Sequence, residues 1–163
     1  MPIFTDMVIK LVSFGFRSPL FKQVMEVRRR VFVEEMGIDP DLDFDSLDAE
    51  AVHFLMLIDD QPAGSARWIE TKQGIQIERL AIIPEHRHMG LGSLMLKFVV
   101  KDVLPAKKTI YLYSPENLQH FFMLNGFEAE GEKTEINGKP HYKMIYVKKQ
   151  EERQGLLKKL FKK

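Results

Sequence analysis

Ile75-Gln76-Ile77-Glu78-Arg79-Leu80-Ala81-Ile82-Ile83-Pro84-Glu85-His86-Arg87-His88-Met89-Gly90-Leu91-Gly92-Ser93-Leu94-Met95-Leu96-Lys97 reads as a strand, a glycine-containing turn and the start of an amphipathic helix in direct succession. Glycines at 90 and 92 let the backbone come close to a ligand. The helix that follows, which runs to Val103, aims its unpaired N–H groups and the positive end of its dipole at whatever lies there. Such a turn wants an anion, most simply a pyrophosphate. A dinucleotide fingerprint would need a third glycine near position 95 and a later acidic residue, and an NTPase loop would need Gly-Lys-Ser or Gly-Lys-Thr. Position 95 is Met, and no such lysine follows.

Within the strand the apolar phase changes. Ile75 and Ile77 share one face, whereas Leu80 and Ile82 share the other, so the alternation slips by one residue around Glu78 and Arg79. A β-bulge does that, although a strand buried on both faces would also accept Leu80 to Ile83 in a row. A bulge would splay this strand from the next one, at 109–113, and free backbone N–H groups for a ligand's carbonyl.

Outward from this stretch the elements alternate. Met7 to Phe14 reads as a strand and Pro19 to Glu35 as one helix, with Leu20, Phe21, Val24, Met25, Val31 and Phe32 on its apolar side. An irregular acidic stretch follows to Asp48. Val52 to Ile58 and Gln61 to Glu70 form a hairpin about Asp59-Asp60. After the central strand and helix come a strand at Thr109 to Tyr113 and a short helix from Pro115 to Asn125. A closing hairpin, Phe127 to Ile136 with His141 to Val147, turns at Asn137-Gly138. The order is α/β, with helices interrupting a mostly antiparallel sheet.

The 163 residues suit a single domain, and 45% hydrophobic content is enough for one core. With no cysteine, disulfides, thiol nucleophiles and Cys-based metal sites are excluded. No apolar stretch reaches spanning length and the N-terminus lacks a leader pattern, so the expectation is a cytoplasmic protein. Basic and acidic residues number 24 and 23, but seven of the basic ones fall at or beyond Lys148. Residues 1–147 are mildly acidic, which argues against a nucleic-acid groove and suits an amine cation as substrate. The tail, 148–163, places Leu156, Leu157, Leu160 and Phe161 on one helical face and lysines on the other; a partner for it is not defined.

With Arg87-x-x-Gly90-x-Gly92 after an apolar strand, the chain resembles the GNAT superfamily of N-acetyltransferases. It is similar to a small, uncharacterised bacterial branch that begins with an Arg-x-x-Val-Phe helix, here Arg28-Arg29-Arg30-Val31-Phe32. Further matches are Asp45, Asp48, His53, Gly64 to Trp68, Glu78 to Ile82, Gly126-Phe127 and Pro140-His141. The resemblance implies the GNAT fold over 1–147: a mixed, mostly antiparallel sheet, splayed between strands 4 and 5, with helices on both faces. It implies acetyl-CoA as co-substrate, no metal, and a small-molecule or peptide amine as acceptor, attacking the thioester directly. A homodimer is compatible with it.

Residue by residue, it places the cofactor against Leu80, Ala81 and Ile82 of the fourth strand and against Arg87, His88, Met89, Gly90, Leu91, Gly92 and Ser93 of the loop. A lysine-like amine is neutral in only about one molecule in 10³ at pH 7, so a base is needed, and Glu78 stands at the strand position for it. A salt bridge from Glu78 to Arg67 or Arg79 is the competing role. Glu35 and His141 are candidates for the acceptor pocket. The tyrosine that serves the family as acid is replaced by Phe122, and the Asn or Gln seven residues earlier by Pro115. Those departures keep open an acyl-CoA-binding module of weak activity, and the N-terminal Arg and Phe helix followed by Glu and Asp positions, shared along with the fold, keeps open an enzyme of the acyl-homoserine-lactone synthase type. The five histidines lack metal-site spacing. Asp39-Pro40-Asp41-x-Asp43-x-Asp45 lacks the glycine and glutamate of a calcium loop and reads as a solvated acidic rim.

Overall fold

Asp59 and Asp60 both take positive φ (49° and 62°), the backbone of a two-residue type I′ turn, and set the register of the first hairpin. They join β2 (Val52–Ile58) to β3 (Gln61–Thr71) in the computed structural model, which describes residues 6–147. Asp59 also accepts from the backbone N–H of Val8, and Asp60 pairs with Lys10, tying the turn to β1 (Ile9–Gly15). The basic tail lies outside the described residues.

The described residues divide into two compact units, 6–107 and 108–147. In the first, β1, β2, β3 and β4 (Gly74–Ile82) pair antiparallel in sequence order. Two helices cover this sheet, α1 (Phe21–Arg28) and α3 (Leu91–Val103), with a four-residue α2 (Pro40–Asp43) between them in the chain. Adjacent residues of β2 show which face each takes: His53 packs on Phe21 of α1, and Phe54 packs edge-on to Phe98 of α3. Because neighbouring strand residues point to opposite faces, the helices lie on opposite sides of the sheet. The core fills both, with Phe54, Leu55 and Met56 fully buried in β2 and Met95, Leu96 and Val99 in α3.

The bulge read from the apolar phase is present. Ser65 faces Ala81 and Arg67 faces Glu78, so Arg79 and Leu80 together oppose Ala66. Arg79 carries the strain, with φ at 55°. The bounds of α3 match those expected from sequence.

Other expectations are corrected. The helix expected at 19–35 is α-helical only over Phe21–Arg28 and continues as a π-helix over Arg29–Glu35, with Met36 N–H donating to Val31 five residues back. Its buried stripe is Val24, Val27, Arg28 and Val31, a helical spacing that includes a charged residue. The acidic stretch is a solvated rim only at Asp39 and Asp41: Asp43 and, beyond it, Asp48 are 2% and 4% exposed, and a 3₁₀ turn spans Ser46–Ala49.

In the second unit β5 (Ile110–Pro115) pairs antiparallel with β8 (Lys139–Tyr146). The strand expected at 127–136 is broken into β6 (Phe127–Ala129) and β7 (Thr134–Ile136), which pair with opposite ends of β8. Asn137-Gly138 turns β7 into β8 as expected, again with both φ positive. The helix expected at 115–125 is a 3₁₀ turn followed by α4 (Gln119–Leu124).

Gly64 of β3 pairs with Ile82 of β4, and a Cβ there would lie 2.7 Å from the Ile82 Cδ1 and 3.1 Å from the Ala81 carbonyl oxygen. The side chain can rotate away; the carbonyl cannot. Gly64→Ala is expected to cost about 1–3 kcal/mol of stability by overpacking, read as a lowered midpoint in urea denaturation.

Candidate active site

A guanidinium on the buried stripe of α1 demands carboxylates beside it. Arg28, 1% exposed, donates from Nε to Asp43 (3.1 Å) and from Nη1 to Asp48 (2.7 Å), and its plane stands over the Phe44 ring. Its Nη2 also donates to the Asp43 carbonyl. Asp48 Oδ1 accepts equally from Arg67 Nη1 at 2.7 Å, and Arg67 forks onto both oxygens of Asp45, at 2.6 and 2.9 Å. Arg79, at the bulge, closes the circuit by pairing with Asp45 (3.2 Å) and with Asp43 (3.0 Å). Three arginines and three aspartates thus alternate in a ring, Arg28-Asp48-Arg67-Asp45-Arg79-Asp43, with every charge between two of the opposite sign.

Glu78 hangs from this ring. Its Oε2 accepts from Arg67 Nε (3.0 Å) and Nη2 (2.7 Å), and its Oε1 from the Gln76 amide (3.0 Å). Burial alone would lower the Arg67 pKa, but bonds to Asp45, Glu78 and Asp48 outweigh it and raise the value, so Arg67 is a fixed cation. At Asp45 burial works to raise the pKa; the bonds from Arg67 and the charges of Arg67, Arg79 and Arg28 prevail and hold it below the usual carboxylate range. His53, fully buried, has its pKa lowered by desolvation, and its Nε2–H donates to the Asp48 carbonyl at 2.8 Å. An open cavity of about 560 Å³, walled by Phe16, Phe21, Met25 and Phe44, reaches Asp45 and Asp48.

The loop after β4 is shaped by a second set of bonds. Ala81 and Ile82 are buried and paired with Ser65 and Gly64, while Leu80 lies in the bulge. Pro84–His86 make a 3₁₀ turn, His88 takes a φ of 63°, and Gly90, at 77°, caps α3 in the left-handed region that favours glycine. A Cβ on Gly90 would meet nothing within 4 Å, so the space over the cap is open. The first helical bond there is from Leu94 N–H to the Gly90 carbonyl at 3.1 Å. The N–H groups of Leu91, Gly92 and Ser93 therefore have no acceptor inside the helix, no side chain caps them, and no acidic residue stands in the first turn. Such a terminus can take an anion.

Arg87 and Glu35, expected in separate roles, are brought together. The two terminal nitrogens of Arg87 donate to the two oxygens of Glu35, each at 2.6 Å, and its Nε donates to the Ile82 carbonyl at 2.8 Å. The bonds from Arg87 hold the Glu35 carboxyl below its usual pKa, and Glu35 in turn raises that of Arg87. Arg30 pairs with Glu85 beside them. In the second unit, His141 on β8 donates from Nδ1 to the nearby Lys139 carbonyl at 2.9 Å. Phe122 is buried against Phe127. Among the described residues no group of three or more His, Cys, Asp or Glu is placed to hold a metal ion, and no helix is long and apolar enough to cross a membrane.

The ring was missed from sequence because its members come from residues far apart in the chain. One signal was available: Arg28 sits four residues after Val24 and three before Val31, on the stripe that packs inward.

Residues 44–147 match the acetyltransferase (GNAT) domain family, and the chain belongs to that family. It is 26% identical over 127 residues to the uncharacterised N-acetyltransferase YjcF of Bacillus subtilis (strain 168), covering 76% of this chain and 90% of the relative. Escherichia coli ElaA shares the fold, with a TM-score of 0.77 at 22% identity over 86% of this chain and all of that one. So does the PaiA N-acetyltransferase of Thermoplasma acidophilum, solved in complex with coenzyme A, at a TM-score of 0.63, 16% identity, and coverage of 85% and 98%. The protein is an acetyltransferase of the GNAT fold, from a family that uses acetyl-CoA.

Arg67→Met would leave Asp45, Asp48 and Glu78 without their shared cation. Loss of about 3–5 kcal/mol is expected, the usual result of breaking a buried pair from one side. Asp45 adds a pH dependence. Its folded pKa is depressed, so its contribution is complete above the unfolded carboxylate value, about pH 4, and is lost as pH falls through the folded value. Urea denaturation between pH 3 and 7 (roughly the range set by those pKa values) should show that acid loss, smaller in Arg67→Met than in wild type.

Proposed function

We propose that the chain moves an acetyl group from acetyl-CoA to a primary amine, with residues 80–93 holding the co-substrate and Glu78 taking the proton that the amine must lose. The observation that carries the reading is the run of bulged strand, loop and uncapped helix: a left-handed Gly90, an open space above it, and first-turn N–H groups without acceptors. Those donors fit a pyrophosphate. Acetyl-CoA supplies the acyl group already activated as a thioester.

Leu80 and Ile82 are assigned to the pantetheine arm, and the backbone of the Arg87 to Ser93 loop to the phosphates. The bulge that strains Arg79 brings Glu78 and Leu80 to the reacting end. Glu78 retains room for a proton: a carboxylate offers about four acceptor positions, and three are taken by Arg67 and Gln76. The remaining one, on Oε1, is the proposed point of entry, directly or through a water. The acceptor is assigned to the cavity that opens on Asp45, because Asp45 and Glu78 are bonded to the same Arg67. Glu35 has both oxygens on Arg87, so the acceptor reading gives it no contact, and His141 is kept as a proposed acceptor residue of the second unit. Phe122 supplies no acid, and the departing thiolate, with a thiol pKa of about 8.5, is stable enough to leave without one.

Gly92→Val tests the loop. Gly92 lies within helical backbone, which accepts valine, so the fold should persist while the added branches fill the approach to the first-turn N–H groups. Titration calorimetry is expected to show loss of CoA binding; an unchanged affinity would remove the site from this loop.

Glu78→Gln tests the base. A fall in kcat/KM of about 10² to 10⁴, with CoA affinity retained and the thermal midpoint lowered by loss of one of the Arg67 carboxylates, is the expected result. Equal rates and equal acid limbs in the pH profiles of the two proteins would mean that the proton leaves by another route.

A further inference from the structure

Resting on the reading of the loop as a pyrophosphate site, we infer that Arg87 does not ligate the phosphates but is a positioning residue, anchored by Glu35, and that the anion is taken by the backbone N–H groups that this anchoring sets in place. The geometry of Arg87 points away from a ligand role. Its two terminal nitrogens face both oxygens of Glu35 in a bidentate fork, and its Nε is bonded to the carbonyl of Ile82, the last residue of β4. A bidentate carboxylate is the partner for which the guanidinium fork is best shaped. For the fork to turn to a phosphate, it would have to leave a carboxylate of matched geometry.

Held in place, Arg87 joins three things: the end of β4, the loop, and the π-helical segment Arg29–Glu35. Arg30 of the same segment pairs with Glu85, so the loop is tied on both sides of His86 by residues more than fifty positions earlier in the chain. The loop needs such ties because its backbone is strained at His88 and turns left-handed at Gly90. Sequence alone assigned Arg87 to the cofactor and Glu35 to the acceptor; the ion pair gives the two one common task.

The sign of one substitution separates the alternatives. Glu35 places a negative charge beside an anion site. If Arg87 were a phosphate ligand for which Glu35 competes, Glu35→Gln would free the guanidinium, remove the repulsion and tighten CoA binding. If the pair positions the loop, the same change weakens binding, by roughly 3- to 10-fold for a partly exposed bidentate pair. Acetyl-pantetheine, which has no pyrophosphate, would bind both proteins alike.

Calorimetry with CoA and with acetyl-pantetheine on wild type, Glu35→Gln, Glu35→Asp, Arg87→Gln and the double Gln variant reads this out. Expected are weaker CoA binding in Glu35→Gln, partial recovery in Glu35→Asp, and no further loss when Arg87→Gln is added to Glu35→Gln. Tighter or unchanged CoA binding in Glu35→Gln overturns the inference while leaving the loop as the site. A full additional loss from Arg87→Gln in that background overturns it as well, since the arginine would then act on the ligand by itself. Absence of CoA binding by the wild-type protein would overturn the loop assignment and the inference together.

Discussion

Taking a guanidinium out of water costs several kcal/mol unless carboxylates surround it, and Arg67, 1% exposed, meets that condition with three of them. The first unit is arranged around this requirement. Asp45 and Asp48 can reach Arg67 only if the chain between the π-helix and β2 folds inward, which buries Asp48 and creates the need for Arg28. Arg28 in turn buries Asp43, and Arg79 completes the circuit from the bulge. Arginine suits every corner, because a planar fork can serve two carboxylates at fixed angles where an ammonium would act as a point charge. The positive φ of Arg79, unfavourable for a side chain of that size, is maintained by bonds to Asp43, Asp45 and the Leu42 carbonyl. The bulge is therefore specified twice, once by the apolar phase of β4 and once by charge.

What could be read from the sequence was what local periodicity encodes. The slip between Ile77 and Leu80 located the bulge, the alternation about Asp59-Asp60 and the Asn137-Gly138 pair located two hairpins, and the stripe from Leu91 to Val103 fixed a helix. Glycines and apolar spacing announce themselves within a few residues. Pairings at long range do not. Asp43 and Asp45 read as surface acids because their partners lie 15 to 36 residues away, and a cluster of aspartates looks the same in sequence whether water or arginine answers it. The π-helix was hidden for a related reason: one wide turn barely alters the apolar pattern, which still places Val24, Val27 and Val31 inward. The break between β6 and β7 was invisible because both halves pair with the same long strand.

Two electrostatic systems act on β4, and they differ in depth. The buried ring grips its middle through Glu78 and Arg79, in a setting where each charge is answered by side chains. At its end the Glu35–Arg87 pair is about one third exposed and is open to salt and to competing ions. Rigidity in the middle of the strand and yield at its end is the distribution that a loop meeting a charged ligand requires, since local opening is drawn from the least buried contacts.

The residues matched to the family begin at 44, yet Arg28 and Asp43 of the ring and both anchors of the loop, Arg30 and Glu35, come earlier in the chain. A fragment starting at the family boundary would keep every loop residue and still lack the helix that packs on His53, the cation between Asp43 and Asp48, and the carboxylate that holds Arg87. The span matched to the family and the span needed to pair the buried charges are thus of different lengths in this chain, and complete pairing belongs to the longer one.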